Sequence, residues 1–143
     1  MPATAYVTAQ SLIDEFGEAE LVELTDRASP RSLQVDEEVS QRACDRANAV
    51  IDGHLRARYT LPLSSMPAQL PFLGRDMARY FLHEREPGEV VKVRYAAAIQ
   101  TLRDIQSGKQ PLGLDATGAD IAVAPTDLAV FSSGEKVFSR GLV

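Results

Sequence analysis

The sequence predicts a mainly α fold: a small bundle of about four to five helices over residues 1–108, then an extended arm with a short β-hairpin over 109–143. Three observations carry this expectation. Apolar residues recur at helical spacing along two long stretches, 36–58 and 87–107. Most prolines and glycines fall between the periodic stretches, where they break helices. Beyond Gly108 the helical period stops.

Thr8 is placed to cap a first short helix, with Leu12, Ile13 and Phe16 as its apolar face and Gly17 as its stop. A second short helical turn follows over 18–25, with Leu21 and Leu24 inward. The Ser-Pro and small polar residues of 26–34 make a loop. Asp36 then caps a long helix running to about Arg58, whose apolar arc collects Val39, Ala43, Ala47, Val50, Ile51 and Ala57. Cys44 and Leu55 fall on the edge of that arc, and His54 and Arg58 inside it. Because a guanidinium keeps its charge, Arg58 is expected to turn inward and tie the helix end to the next segment or to Asp76.

The two prolines of 59–67 end the helix, and this segment is expected to run extended over the core with Leu61 and Leu63 buried. A fourth helix spans about 68–84, with Pro71 tolerable only in its first turn. Leu70, Leu73, Met77, Ala78, Tyr80, Phe81 and Leu82 cover most of its circumference, which places it in the middle of the bundle. A fifth helix over about 87–107 carries a stripe of Val91, Tyr95, Ala98, Leu102 and Ile105, with Gly108 as its C-cap. Residues 109–125 read as an extended arm, and 128–140 as a hairpin turning at Ser133-Gly134-Glu135. Phe131 and Phe138 lie in the hairpin's two apolar runs.

At 143 residues the chain has the length of one domain and can bury about two-thirds of its unfolded surface. Hydrophobic residues are 45% and charged residues 24%, the proportions of a soluble globular protein. Fifteen basic against twenty acidic residues give a net charge of −5, which argues against a free-standing DNA binder. A single cysteine excludes an internal disulfide and a cysteine-based structural zinc site, and two histidines leave little for a histidine metal centre. No run of 18 apolar residues occurs and the start lacks a basic-then-apolar pattern, so neither a membrane span nor a signal peptide is expected. A reducing cytoplasm, or a particle assembled there, is the expected setting.

Few residues offer chemistry. Cys44 and His54 lie on one helix about 15 Å apart along its axis, too far for a nucleophile pair, so Cys44 reads as a buried inert thiol. Asp76, Arg79, Tyr80 and His83, at i, i+3, i+4 and i+7, line one side of the fourth helix. They could form an acid/base strip or an ion-pair and hydrogen-bond network at a helix or subunit interface. The second reading is preferred, because no phosphate-binding glycine loop, nucleophile or metal set accompanies them. No catalytic residue, metal or cofactor is expected.

Three segments go further: Thr8–Arg27 (TAQSLIDEFGEAELVELTDR), Ile51–Leu63 (IDGHLRARYTLPL) and Asp76–His83 (DMARYFLH). Tyr95, Gly108-Lys109 and a closing Val-Phe-Ser-Arg at 137–140 follow in order. In this order and spacing the chain resembles, over nearly its whole length, the Mu-like bacteriophage head–tail connector (head-completion, adaptor) family. The resemblance implies a structural protein and no enzyme. Copies would form a homo-oligomeric ring under the portal protein, extend the DNA channel, and offer a docking surface to a tail terminator or tail-completion protein. DNA would pass through without specific binding and no membrane would be involved. The implied place is the virion neck, after assembly in the host bacterial cytoplasm, for a phage or a prophage.

On this reading Arg58, Asp76, Arg79, Tyr80, His83, Phe131, Phe138 and Arg140 are candidate structural and interface residues, and residues 109–143 would order against neighbouring copies. Asp45 and Asp52 are the candidates for an acidic channel lining. The alternatives are a small helical DNA-binding module around the basic window Arg75–Arg85, or a regulatory or enzymatic subunit using Asp76, Arg79 and His83.

Overall fold

The computed structural model describes residues 5–114, which form five helices and no β-sheet. These are α1 (Ala9–Phe16), α2 (Glu18–Thr25), α3 (Glu37–Leu55), α4 (Gln69–Leu82) and α5 (Glu89–Ser107). Helix α4 packs between α3 and α5, which also touch each other, and the short α1–α2 pair lies across α3 and α4. The centre is filled by Leu12, Leu21, Ile51, Leu55, Leu70, Met77, Leu82, Leu102 and Ile105, all fully buried. At about 25 cal/mol per Å² of apolar surface, this aliphatic core supplies most of the drive to fold.

Local chemistry sets most boundaries where the sequence puts them. Thr8 Oγ1 accepts from Ser11 N at 3.2 Å, and Ser11 Oγ accepts from Thr8 N at 2.9 Å, which together form a capping box. Gly17, at φ +94°, turns the chain between α1 and α2. Asp36 Oδ1 accepts from the amides of Glu38 and Val39 at the start of α3. Pro71 sits third in α4, where its missing N–H leaves no helical bond unmade. The buried residues of α5 include Val91, Ala98, Leu102 and Ile105 of the expected stripe, with Tyr95 half-buried.

Several expectations are corrected. Helix α3 ends at Leu55, because the amides of Arg58 and Tyr59 both turn back to the Leu55 carbonyl. Ala57 and Arg58 therefore leave the helical wheel, and both are exposed. Arg58 does not turn inward. Its guanidinium lies across the end of α5, 2.8 Å from where a Cβ on Gly108 would stand. Leu61 is half-buried rather than buried, although Leu63 is buried as expected. Helix α4 stops at Leu82 and α5 begins only at Glu89, so both are shorter than the periodicity suggested.

The start of the arm also differs. Residues 109–114 fold back onto the body. Gln110 N donates to the Asp104 carbonyl at 3.1 Å, its side chain donates to Gln69 Oε1 at 2.6 Å, and Leu112 and Leu114 are buried in the core cluster. The remainder of the expected arm and the hairpin, with Phe131, Phe138 and Arg140, lie outside the described residues.

One feature has no periodic signal. The segment before α1 is strapped onto α3, with Tyr6 and Val7 buried. Asn48 Oδ1 accepts from the amides of Tyr6 (2.9 Å) and Val7 (3.1 Å), and its Nδ2 donates to the Val7 carbonyl at 3.2 Å. The Tyr6 hydroxyl donates to Asp52 Oδ1 at 2.6 Å. Burial, with the Asp52 carboxylate beside it, pushes this phenol above its ordinary range. Gly74 of α4 makes room for the strap, since a Cβ there would stand 3.1 Å from Val7 Cβ.

Candidate functional site: the charged strip of α4

Along and just past helix α4 stand Arg75, Asp76, Arg79, Tyr80 and His83, and three neighbouring elements answer the first four. Arg79 reaches α2, where its Nε and Nη2 donate to Glu20 Oε2 and Oε1 at 2.6 and 2.9 Å, a two-pronged contact. The same guanidinium lies 4.4 Å from the centre of the Phe16 ring of α1. One turn earlier, Arg75 Nε stands 3.2 Å from Glu15 Oε1, an ion pair without hydrogen-bond geometry, and stacks on Phe72. Asp76 faces the other way and pairs with Arg94 of α5 at 2.9 Å. Burial raises the Asp76 carboxyl, and Arg94 opposes that rise.

Tyr80 stacks on Tyr95 of α5 with ring centres 3.9 Å apart, and both meet Phe81 edge-on. His83, just past the helix end, has Nδ1 2.9 Å from the Arg79 carbonyl. A carbonyl only accepts, so Nδ1 carries the proton and Nε2 is the open position of the neutral ring. A cleft of about 350 Å³ runs alongside, lined by residues that include Glu20, Leu24, Arg79, His83 and Val91. The arrangement fastens α1 and α2 to α4 and α4 to α5. Arg75 and Arg79, which made 75–85 the most basic window of the sequence, both face carboxylates of this chain.

The structure thus divides the four predicted residues between two neighbours, with Arg79 facing α2 and His83 bonded to its carbonyl while Asp76 and Tyr80 face α5, and leaves Arg58 apart at the end of α5. Sequence reading of α4 alone missed their partners Glu15, Phe16, Glu20, Arg94 and Tyr95. These sit on other elements, and nothing in local spacing announces them. Cys44 is fully buried in α3, and burial pushes its thiol up to about 12, so it stays protonated at neutral pH. Among the described residues no three His, Cys, Asp or Glu side chains are placed to hold a metal ion, and no helix is long and apolar enough to cross a membrane.

Fold and strip together define a helical scaffold, whose charged and aromatic side chains fasten helices to one another. The sequence profile described as Bacteriophage Mu, Gp36 matches residues 6–129, and the chain belongs to that family. It is 30% identical over 139 residues to Gene product J of Escherichia phage Mu, covering 93% of this chain and 98% of that protein. It is 32% identical over 111 residues to the Mu-like prophage FluMu protein gp36 of Haemophilus influenzae, covering 78% and 77% of the two chains. The protein is therefore a Mu-family phage protein with a small mainly α fold.

Proposed function

We propose that the chain is a head–tail connector subunit that forms a ring under the portal, continues the DNA channel and gives the tail its docking surface. The observation that carries this reading is full-length kinship with a phage Mu gene product, joined to a body built for packing. A ring subunit needs a stiff core, because lateral contacts repeated around a closed ring tolerate little variation in shape. The α4 strip supplies that stiffness through the Arg79–Glu20 and Asp76–Arg94 pairs and the Tyr80–Tyr95 stack.

Such a subunit also needs segments that reach its neighbours, and 29 residues (115–143) follow the described body. The excess of acidic residues suits a channel through which DNA slides without sticking. Asp45, which accepts from Gln41, is exposed on α3 and remains the stronger candidate for a channel-facing acid, whereas Asp52 is half-buried and engaged by Tyr6.

The test is genetic and visual. Particles assembled without this protein should accumulate as DNA-containing heads and separate complete tails under the electron microscope, and adding back purified protein should join them. Normal tailed particles in its absence would refute the connector reading.

A further inference from the structure

We propose that copies of this chain join side by side, the α3–α5 flank of one entering the cleft between the strap and α3 of the next. That these contacts close into a ring rests on the connector reading. The cleft is open, measures about 430 Å³, and is lined by residues that include Ala5, Gln41, Asp45, Ala49 and Asp52. No basic side chain lines it. Asp45 accepts from the Gln41 amide at 2.7 Å and Asp52 from the Tyr6 hydroxyl at 2.6 Å. Neither carboxylate pairs with a cation among the described residues.

The other flank has the opposite charge. Arg46 lies over the Phe81 ring, 4.3 Å from its centre, and half-buried Val50 and Ile99 follow along α3 and α5. His54 Nδ1 stands 2.7 Å from Gln106 Oε1, which ties the ends of the two helices together. Arg103 sits one turn before Gln106, Arg58 lies over Gly108, and Lys109 comes next. Seven cations of the described residues face carboxylates of their own chain. Arg46, Arg58, Arg103 and Lys109 do not.

A chain cannot match these two surfaces to each other by itself. The Gln41–Asp45–Asp52 row and the Arg46–Val50–His54 row lie about 160° apart around one rigid helix. A neighbouring copy can match them. A polyanion such as DNA would answer the basic row and leave the acidic cleft empty.

The levels also agree. Arg46 and Tyr95 share Phe81, and His54 meets Gln106, so α3 and α5 run in the same direction. Counted back from the His54–Gln106 contact at about 1.5 Å per residue, Arg103 stands level with Asp52, as Arg46 does with Asp45. Copies with parallel α3 helices therefore set Arg46 against Asp45 and Arg103 against Asp52 with no offset along the helix. A contact repeated by rotation without translation closes into a ring. Exposed pairs are weak singly, so their part is to fix register while the wrong pairings repel. Asp45, a channel candidate on exposure alone, is then a seam residue.

Sedimentation of the full-length protein, alone at high concentration and with an isolated portal ring, tests this with charge variants. Arg46→Glu with Arg103→Glu should weaken self-association at least about tenfold, and so should Gln41→Arg with Asp45→Arg. All four substitutions in one chain should restore it, which also shows that the variants fold. Equal amounts of the two impaired proteins should form mixed assemblies, which a contact within one chain could not produce.

Unchanged association of either impaired protein, or no recovery in the combined chain and the mixture, would overturn the proposal. So would a wild type that stays monomeric with and without the portal, or duplex-DNA binding that Arg46→Glu with Arg103→Glu abolishes while self-association persists. A portal collar indifferent to all four substitutions would keep the connector reading and overturn this interface. Association through these flanks by a protein that ignores the portal would keep the interface and dispose of the connector reading.

Discussion

Replacing Asn48 by alanine isolates the strap that precedes α1. Its side chain accepts two amide protons, from Tyr6 and Val7, and donates one to the Val7 carbonyl. Each such bond contributes about 1 kcal/mol net, which sets a gross loss of about 3 kcal/mol. Alanine returns about 0.6 kcal/mol through its better helix propensity in the middle of α3. The strap can also detach and rehydrate its backbone, which caps the loss at the free energy of docking Val7 and Tyr6. The expected net destabilisation is about 2 kcal/mol, or roughly 6–10 °C in melting temperature for a chain of this size.

Urea unfolding followed by circular dichroism measures the first quantity, and amide hydrogen exchange locates it. The amides of Tyr6 and Val7 should lose protection almost completely, while those of Leu102 and Ile105 should fall only by the global change. A variant within about 0.5 kcal/mol of wild type with Tyr6 and Val7 still protected would refute the strap.

Three further outcomes are expected. Arg58→Leu should change stability by less than about 0.5 kcal/mol, because the side chain is exposed, whereas Gly108→Ala should cost about 1–2 kcal/mol through its positive φ and the guanidinium beside it; thermal melts check both. Arg79→Met and Glu20→Gln, taken singly and together in a double-mutant cycle, should show a coupling of about 1–3 kcal/mol, since the pair is two-pronged and largely shielded; a coupling near zero would mean that the contact fastens nothing. Asp26 anchors the loop before α3 by accepting from the amides of Ala28 and Leu33 and from the Ser32 hydroxyl, and these bonds, the Leu33 amide first, lower its carboxyl from 3.8 to about 2. The depressed pKa means its stabilisation is complete above the ordinary value and fades as pH falls from about 4 to about 2, so the stability gap between wild type and Asp26→Asn should shrink across that window, and a pH-independent gap would contradict it.

The helices were legible because their signals are local. Thr8, Asp36 and Gly108 act within one turn of themselves, and the Val91–Ile105 stripe repeats at the period of the structure it forms. Arg58 misled because a helical wheel holds only while the helix continues, and α3 ends three residues earlier. Tyr6 and Val7 were invisible because a short extended segment has no period, and its anchor Asn48 lies more than forty positions away. Leu112 and Leu114, set around a glycine after a proline, look like linker residues until the core that takes them is known. In the strip, the four positions were readable from spacing, but the groups that answer Asp76, Arg79 and Tyr80 belong to α1, α2 and α5.

Native mass measured on the full-length protein with and without an isolated portal ring bears most directly on the connector role. A connector subunit should give a discrete complex in which many copies join each portal ring in a fixed number, visible as an added collar by electron microscopy. A protein that stays monomeric at every concentration and leaves the portal's mass unchanged would contradict it.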